Sequence, residues 1–278
     1  MASLSTMQRG LPANSPTDGA DDALSKVPQV TLAFWVVKIL ATTLGETGGD
    51  ALSMTLKLGY AESTVIFLAF FACALFAQVK SRHYHPVFYW AVVVATTTVG
   101  TTSSDYFDRT LGLGYVKSSI ILLALVVGVL ALWRHSTGAI RVDRITARKD
   151  EIFYWVTILV SNTLGTALGD FVATTTGLGF ERGALVFAGL IALVALARYA
   201  TGIPSSVLFW AAYVLTRPLG ATLGDTLTKS PAEGGLGIGR IGSSIAIAAA
   251  MVLVIATTSL RNRMATARAQ PAARPAHP

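Results

Sequence analysis

Eight apolar stretches follow one another along the chain, and they are of two kinds. Four, over about 31–56, 86–111, 152–176 and 205–228, are apolar but broken at regular positions by Thr, Gly and acidic residues. The other four, over about 62–79, 117–133, 183–199 and 241–260, are almost purely apolar. A helix needs ~20 apolar residues to cross the hydrocarbon of a bilayer, and both kinds approach that length. The pattern predicts an all-α integral membrane protein with eight transmembrane helices.

The two kinds alternate because the chain repeats itself four times. Trp35, Trp90, Trp155 and Trp210 open equivalent segments. Ten residues after each stands Gly45, Gly100, Gly165 or Gly220, and five further on Asp50, Asp105, Asp170 or Asp225. A turn of Leu, Gly and an aromatic or Ile follows, at Gly59-Tyr60, Gly114-Tyr115, Gly179-Phe180 and Gly237-Ile238, the last three residues late. Two helices per repeat bring each copy in from the same side, so the repeats, about 30–82, 85–135, 150–200 and 204–260, are parallel rather than inverted.

Counting from each tryptophan, position 7 holds Thr42, Thr97, Asn162 and Arg217, and position 11 holds Glu46, Thr101, Thr166 and Ala221. Position 15 holds the four aspartates and position 18 holds Ser53, Asp108, Ala173 and Thr228. At 100° per residue these fall within about 80° of one another, one polar stripe per helix. Beside it lie Gly45 and Gly49, Gly100 and Ser104, Gly165 and Gly169, and Gly220 and Gly224. Small residues four apart let helices approach closely in lipid, which assigns these glycines to helix packing.

Composition changes the meaning of the charge. Only 13% of residues are charged, against about 25% in soluble domains, so a soluble fold is excluded and the net charge of +7 is not a nucleic-acid signal. It bears on sidedness instead. Fourteen Lys and Arg fall on the side of the two termini and six on the other, namely Lys57, Arg109, Lys117, Arg182, Lys229 and Arg240. The positive-inside rule then places both termini in the cytoplasm. Residues 1–29 are polar, lack the apolar core of a secretory leader and, like the Arg/Ala/Pro-rich 261–278, are expected to be disordered. Cys73 stands alone, which excludes an internal disulfide. His83 and His85 flank Tyr84 in a basic loop and read as solvated.

An acid at the centre of a bilayer costs about 2.5–3.5 kcal/mol on insertion scales, so Glu46, Asp50, Asp105, Asp170 and Asp225 are expected to face one another or water. The alternative is that each aspartate caps its helix at the surface. If each tryptophan is an interface anchor, the glycine lies ~15 Å deeper and the aspartate ~22 Å in. Lys38 and Arg217 are the basic residues deep in spans; both are expected to tune the charge, with Arg217 neutralising one or two aspartates. Carboxylates, hydroxyls and amides are hard ligands for Mg²⁺, Mn²⁺ or Ca²⁺. That makes the five acids candidate metal ligands, helped by Thr42, Thr97 and Asn162.

On these tryptophans and their Gly/Asp partners, over about 30–260, the chain resembles a bacterial membrane-protein family built from four tandem repeats of unknown function. The resemblance implies an inner-membrane protein. Glu46-Thr47-Gly48-Gly49-Asp50 is also similar to the Glu-x-Gly-Asp-Lys/Arg-Ser/Thr motif of manganese and calcium exchangers. It has one extra residue, no base after Asp50, and no glutamate in repeats two to four.

The expected function is secondary transport of a divalent cation such as Mn²⁺, outward and coupled to protons. A proton-coupled carrier of a small organic solute is the second reading, and a membrane scaffold or sensor the third. The partners are lipid and a small cation or solute, and a homo-oligomer is compatible with the sequence. An enzyme is not expected, and no cofactor is. The residue three before each aspartate is Thr47, Thr102, Ala167 or Thr222, not the glycine of intramembrane aspartyl proteases, and there is no nucleotide-binding loop.

Overall fold

The computed structural model describes residues 28–81, 84–140, 145 and 147–269. His83 lies outside them. Eight long helices run through these residues: α1 (Leu32–Asp50), α2 (Tyr60–Lys80), α3 (Pro86–Asp105), α4 (Tyr115–Thr137), α5 (Arg148–Asp170), α6 (Phe180–Ala200), α7 (Ser205–Thr228) and α8 (Arg240–Ala269). The Thr31 hydroxyl accepts from the Phe34 N–H at the start of α1, and Pro86 opens α3, where its missing N–H costs nothing.

Five helical segments are long and apolar enough to cross a membrane: α2, α4, α6, the first part of α8, and α5 with the turn that follows it. In α1, α3 and α7 the polar stripe lowers the apolar content. The stripe is bearable there because these helices are inside. α1, α3, α5 and α7 form a closed ring in which each packs on the next and α7 returns to α1. The other four stand outside it, each over the inner helix of the following repeat: α2 on α3, α4 on α5, α6 on α7 and α8 on α1. They show apolar side chains such as Val65, Ile120, Leu185 and Val252 outward.

The glycines close the ring. A Cβ on Gly45 would fall on the Thr97 side chain, one on Gly165 on Arg217, and one on Gly220 on Thr42. At Gly100 it would meet the Asn162 backbone at 2.9 Å. Position 10 of each repeat is thus the socket for position 7 of the next, all the way round. One turn on, Gly49 receives Thr101, Gly169 receives Ala221 and Gly224 receives Glu46, so position 14 takes position 11 in the same way.

The tryptophans are not interface anchors. Trp90, Trp155 and Trp210 are buried and Trp35 is partly so. Each follows another aromatic residue, and Phe34, Tyr89, Tyr154 and Phe209 join them in a continuous set of ring contacts at one end of the bundle. Four aromatic pairs converging on one axis find more apolar contact with each other than at a bilayer surface.

At the other end, the helix irregularity falls after the aspartates rather than at the glycines. A π turn follows directly at Ala51–Thr55, Tyr106–Thr110 and Phe171–Thr175. The turn then needs a glycine with positive φ, Gly59, Gly114 or Gly179, nine residues after the aspartate. In repeat four the equivalent is Gly239, fourteen residues after Asp225, so that turn is five residues late and not three. There α7 continues to Thr228 with no π turn, and the extra residues make a short 3₁₀ turn, Pro231–Glu233.

Gly179 has φ 77° and ψ 167°, and a Cβ there would meet nothing within 4 Å. Gly179→Ala is therefore a pure backbone test. This region is essentially glycine-only, and the variant is expected to lose ~1–3 kcal/mol in thermal unfolding of the purified protein.

Candidate functional site

The ring stacks its stripe residues in layers along its axis. Nearest the tryptophans lie Lys38, Val93, Ile158 and Tyr213, all 0% exposed. The next layer is Thr42, Thr97, Asn162 and Arg217, then Glu46, Thr101, Thr166 and Ala221, then the four aspartates. Glu46 and the aspartates are at most 3% exposed, so none of these acids emerges into water as a surface cap.

Arg217 fills the centre. It rises from its own layer into the next, where Nη2 donates to Glu46 Oε2 at 3.0 Å, to the Thr166 hydroxyl at 2.7 Å and to the Thr101 hydroxyl at 2.5 Å. One guanidinium on α7 thus touches the other three inner helices. The expectation that it neutralises aspartates is corrected. It stands eight residues before Asp225, about 12 Å along a helix, and its side chain reaches only the glutamate layer.

The aspartates have other partners. Arg109 Nε lies 2.9 Å from Asp105, and its Nη2 lies 3.4 Å from Asp170. Lys229 Nζ lies 3.3 Å from Asp225 and 3.5 Å from Asp50, and Arg240 Nε lies 3.3 Å from Asp50. The four acids therefore form two bridged pairs, one across the junction of repeats two and three, the other across that of repeats four and one. Both pairs tie the first half of the chain to the second. Sequence reasoning counted Arg109, Lys229 and Arg240 only as outer-loop charges. The signal was present in the spacing, because Arg109 and Lys229 each stand four residues after the aspartate of their own repeat, the one-turn separation of helical ion pairs. Lys229 is held in place by the loop beyond it. There Ser230 donates from its hydroxyl and its N–H to Glu233, and these bonds hold the Glu233 carboxyl below the usual carboxylate range.

Among the described residues, one group of carboxylates is arranged as a metal cluster: oxygens of Glu46, Asp50 and Asp225, all buried, lie within 4.8 Å of one another. Asp105 and Asp170 are engaged by Arg109 instead. The five acids face four ion-paired bases, which leaves one formal negative charge. The remaining predicted residues spend their polar atoms on other partners. The Thr42 hydroxyl bonds the Thr216 carbonyl and that of Thr97 the Ala41 carbonyl, each at 3.1 Å. Asn162 Nδ2 donates to Thr96 at 3.0 Å. Lys38 stacks over Tyr213. Thr42 and Thr97 sit under a neighbour's glycine, so their hydroxyls are spent on carbonyls at the helix contact.

The axis is closed at one end by the aromatic layer. At the other, Arg109 and Arg240 are 33% and 22% exposed, so these polar layers, called the pit below, come nearest to solvent at the turn end.

Four consecutive stretches, 33–84, 88–138, 153–203 and 208–263, match one sequence family, described as Repeat of Unknown Function (DUF347). No curated protein and no solved structure matches the chain, so the similarity to manganese and calcium exchangers has no counterpart there. The matched stretches coincide with the four units that close the ring, and the chain belongs to the DUF347 repeat family.

Proposed function

We propose that this protein is a secondary transporter that binds a small divalent cation, Mn²⁺-like in its ligand preference, in the axial pit. The observation that carries the reading is the buried group of Glu46, Asp50 and Asp225. Three carboxylates are hard oxygen ligands of the kind Mn²⁺, Mg²⁺ and Ca²⁺ prefer. Arg217, Lys229 and Arg240 are ion-paired with these acids, so a bound cation would replace them as counter-charge. Lys229 and Arg240 lie on or beside the turn at the approachable end, so an arriving cation displaces them without opening the ring.

The chain is placed across the bacterial inner membrane in eight spans, with both termini cytoplasmic. Of the six basic residues on the far side, Arg109, Lys229 and Arg240 are bound to aspartates. The count stays at six against fourteen on the side of the termini, because the positive-inside rule counts Lys and Arg whether or not an acid neutralises them. In that orientation the end of the ring with Arg109 and Arg240 lies toward the outside of the cell.

The test is cell-associated metal measured by elemental mass spectrometry. Cells expressing the protein are expected to hold less of one divalent metal than cells lacking it, and Glu46→Gln with Asp50→Asn is expected to abolish the difference. If no metal changes under loading with Mn, Mg, Ca, Co, Ni, Zn or Cu, cation export fails. A small organic solute bearing a carboxylate then takes its place, a reading favoured by Arg217 Nε and Nη1, which have no hydrogen-bond partner.

A further inference from the structure

Lys38 is a buried cation that the pit does not use. It sits on α1 two turns from Glu46 on the aromatic side of Arg217. It is 0% exposed, its Nζ has no hydrogen-bond partner, and it lies 4.1 Å over the ring of Tyr213. Its counterparts in the other repeats are Val93, Ile158 and Tyr213. No carboxylate stands within ion-pair distance of it among the described residues.

A buried, unpaired ammonium carries a desolvation penalty of several kcal/mol, of which a desolvated aromatic face returns about 2 kcal/mol. A lysine so placed is suited to being charged for only part of a working cycle. The groups around it leave no other candidate for the same task. α7 brings Tyr213 and Arg217, α3 brings Tyr89, and α5 brings Tyr154. α8 brings no ionisable side chain over 241–260, and the next one on α1 itself is Glu46. The layer next to Lys38 on the side of the acids holds the like charge of Arg217. Beyond it, toward the tryptophan end, are the unpartnered Tyr213 hydroxyl and the hydroxyls of Tyr89 and Tyr154, 2.6 Å apart.

We propose that Lys38 carries the coupling proton of this transporter, an inference that rests on the cation-binding reading. A divalent cation arriving at Glu46, Asp50 and Asp225 takes Glu46 from Arg217. The freed guanidinium, its Nε and Nη1 already without partners, moves its charge toward the lysine layer. The N–H bond of the Lys38 ammonium then breaks, the electron pair stays on nitrogen, and the proton is relayed through the tyrosine hydroxyls to water beyond the aromatic layer, which is closed to ions but not to a proton handed between hydroxyls. Cation release returns Arg217 to Glu46, and Lys38 takes a proton from water on the side to which the cation was released. One cation entering the site thus expels one proton from the axis.

The test uses the full chain in proteoliposomes loaded with a pH-sensitive dye, driven by a Mn²⁺ gradient. Wild type is expected to move protons against Mn²⁺. Lys38→Met, which holds no proton, and Lys38→Arg, which does not release one, are both expected to lose Mn²⁺-driven proton movement; Lys38→Met, which also removes the charge that opposes Arg217, is expected to keep Mn²⁺/Mn²⁺ exchange within about twofold. Proton movement that persists in either variant overturns the proposal. If neither variant folds, ¹⁵N-lysine spectra of wild type decide: saturation with Mg²⁺, a diamagnetic probe, is expected to convert the Lys38 ammonium to the amine, and an ammonium that stays overturns it. Mn²⁺ transport by wild type without protons overturns this inference alone, whereas no Mn²⁺ transport at all removes the transport reading beneath it.

Discussion

Arg217→Met is expected to destabilise the protein by about 3–5 kcal/mol, the usual cost of removing one partner of a buried ion pair. Glu46 would be left charged with only the Thr101 hydroxyl at 3.3 Å to bond it. The Thr101 and Thr166 hydroxyls would lose the donor that joins them across the axis. A second substitution is expected to rescue the first. Glu46→Gln with Arg217→Met removes both charges, and replacing a buried pair by neutral groups of similar volume is close to neutral. The double variant is expected within about 1 kcal/mol of wild type in unfolding of the purified protein. A single variant as stable as wild type would mean that the guanidinium does not hold the ring together.

Gly220→Val is the second large effect, expected to cost about 3 kcal/mol or more, at and beyond the upper end of overpacking losses. Its Cβ would fall on the Thr42 side chain and stand 2.8 Å from the Thr42 carbonyl carbon. Relief requires α7 and α1 to separate, which breaks the bond from the Thr42 hydroxyl to the Thr216 carbonyl. Because the ring is closed, α7 cannot retreat without loosening its contact with α5, where Gly165 already takes Arg217. Gly128→Ala is the control. It lies on outer helix α4 with nothing within 4 Å of a Cβ, and it is expected to be neutral or to stabilise by up to ~1 kcal/mol through helix propensity. Thermal unfolding of the three proteins side by side separates the close-approach glycine from a merely helical one.

Much of this was legible in the sequence because the repeat states its own geometry. Positions 7, 11, 15 and 18 of each repeat placed the polar residues and aspartates on one face, and the small pairs beside it announced close packing. Which residue fills which socket was not legible, since that depends on the ring closing from α7 to α1. The tryptophans misled for a related reason. Their habit at membrane interfaces is a tendency of isolated residues, and four aromatic pairs brought to one axis bury each other instead. The bases of the pit were missed because a charge near a turn reads as solvated until the turn is seen to fold over the helix ends. Only the one-turn spacing of Asp105 with Arg109 and of Asp225 with Lys229 marked them. The π turns left no trace in composition, although they fall directly after the aspartate in three repeats, a place where such turns often accompany function.

The central claim is that Glu46, Asp50 and Asp225 together hold a divalent cation. Equilibrium binding of Mn²⁺, Mg²⁺ and Ca²⁺ to the purified chain in lipid nanodiscs tests it without assuming a direction of transport. One saturable site per chain is expected, lost in Glu46→Gln with Asp50→Asn and kept in Asp105→Asn, whose carboxylate is bound to Arg109. A folded wild-type chain that binds none of the three ions, or one whose site survives the loss of Glu46 and Asp50, would contradict it.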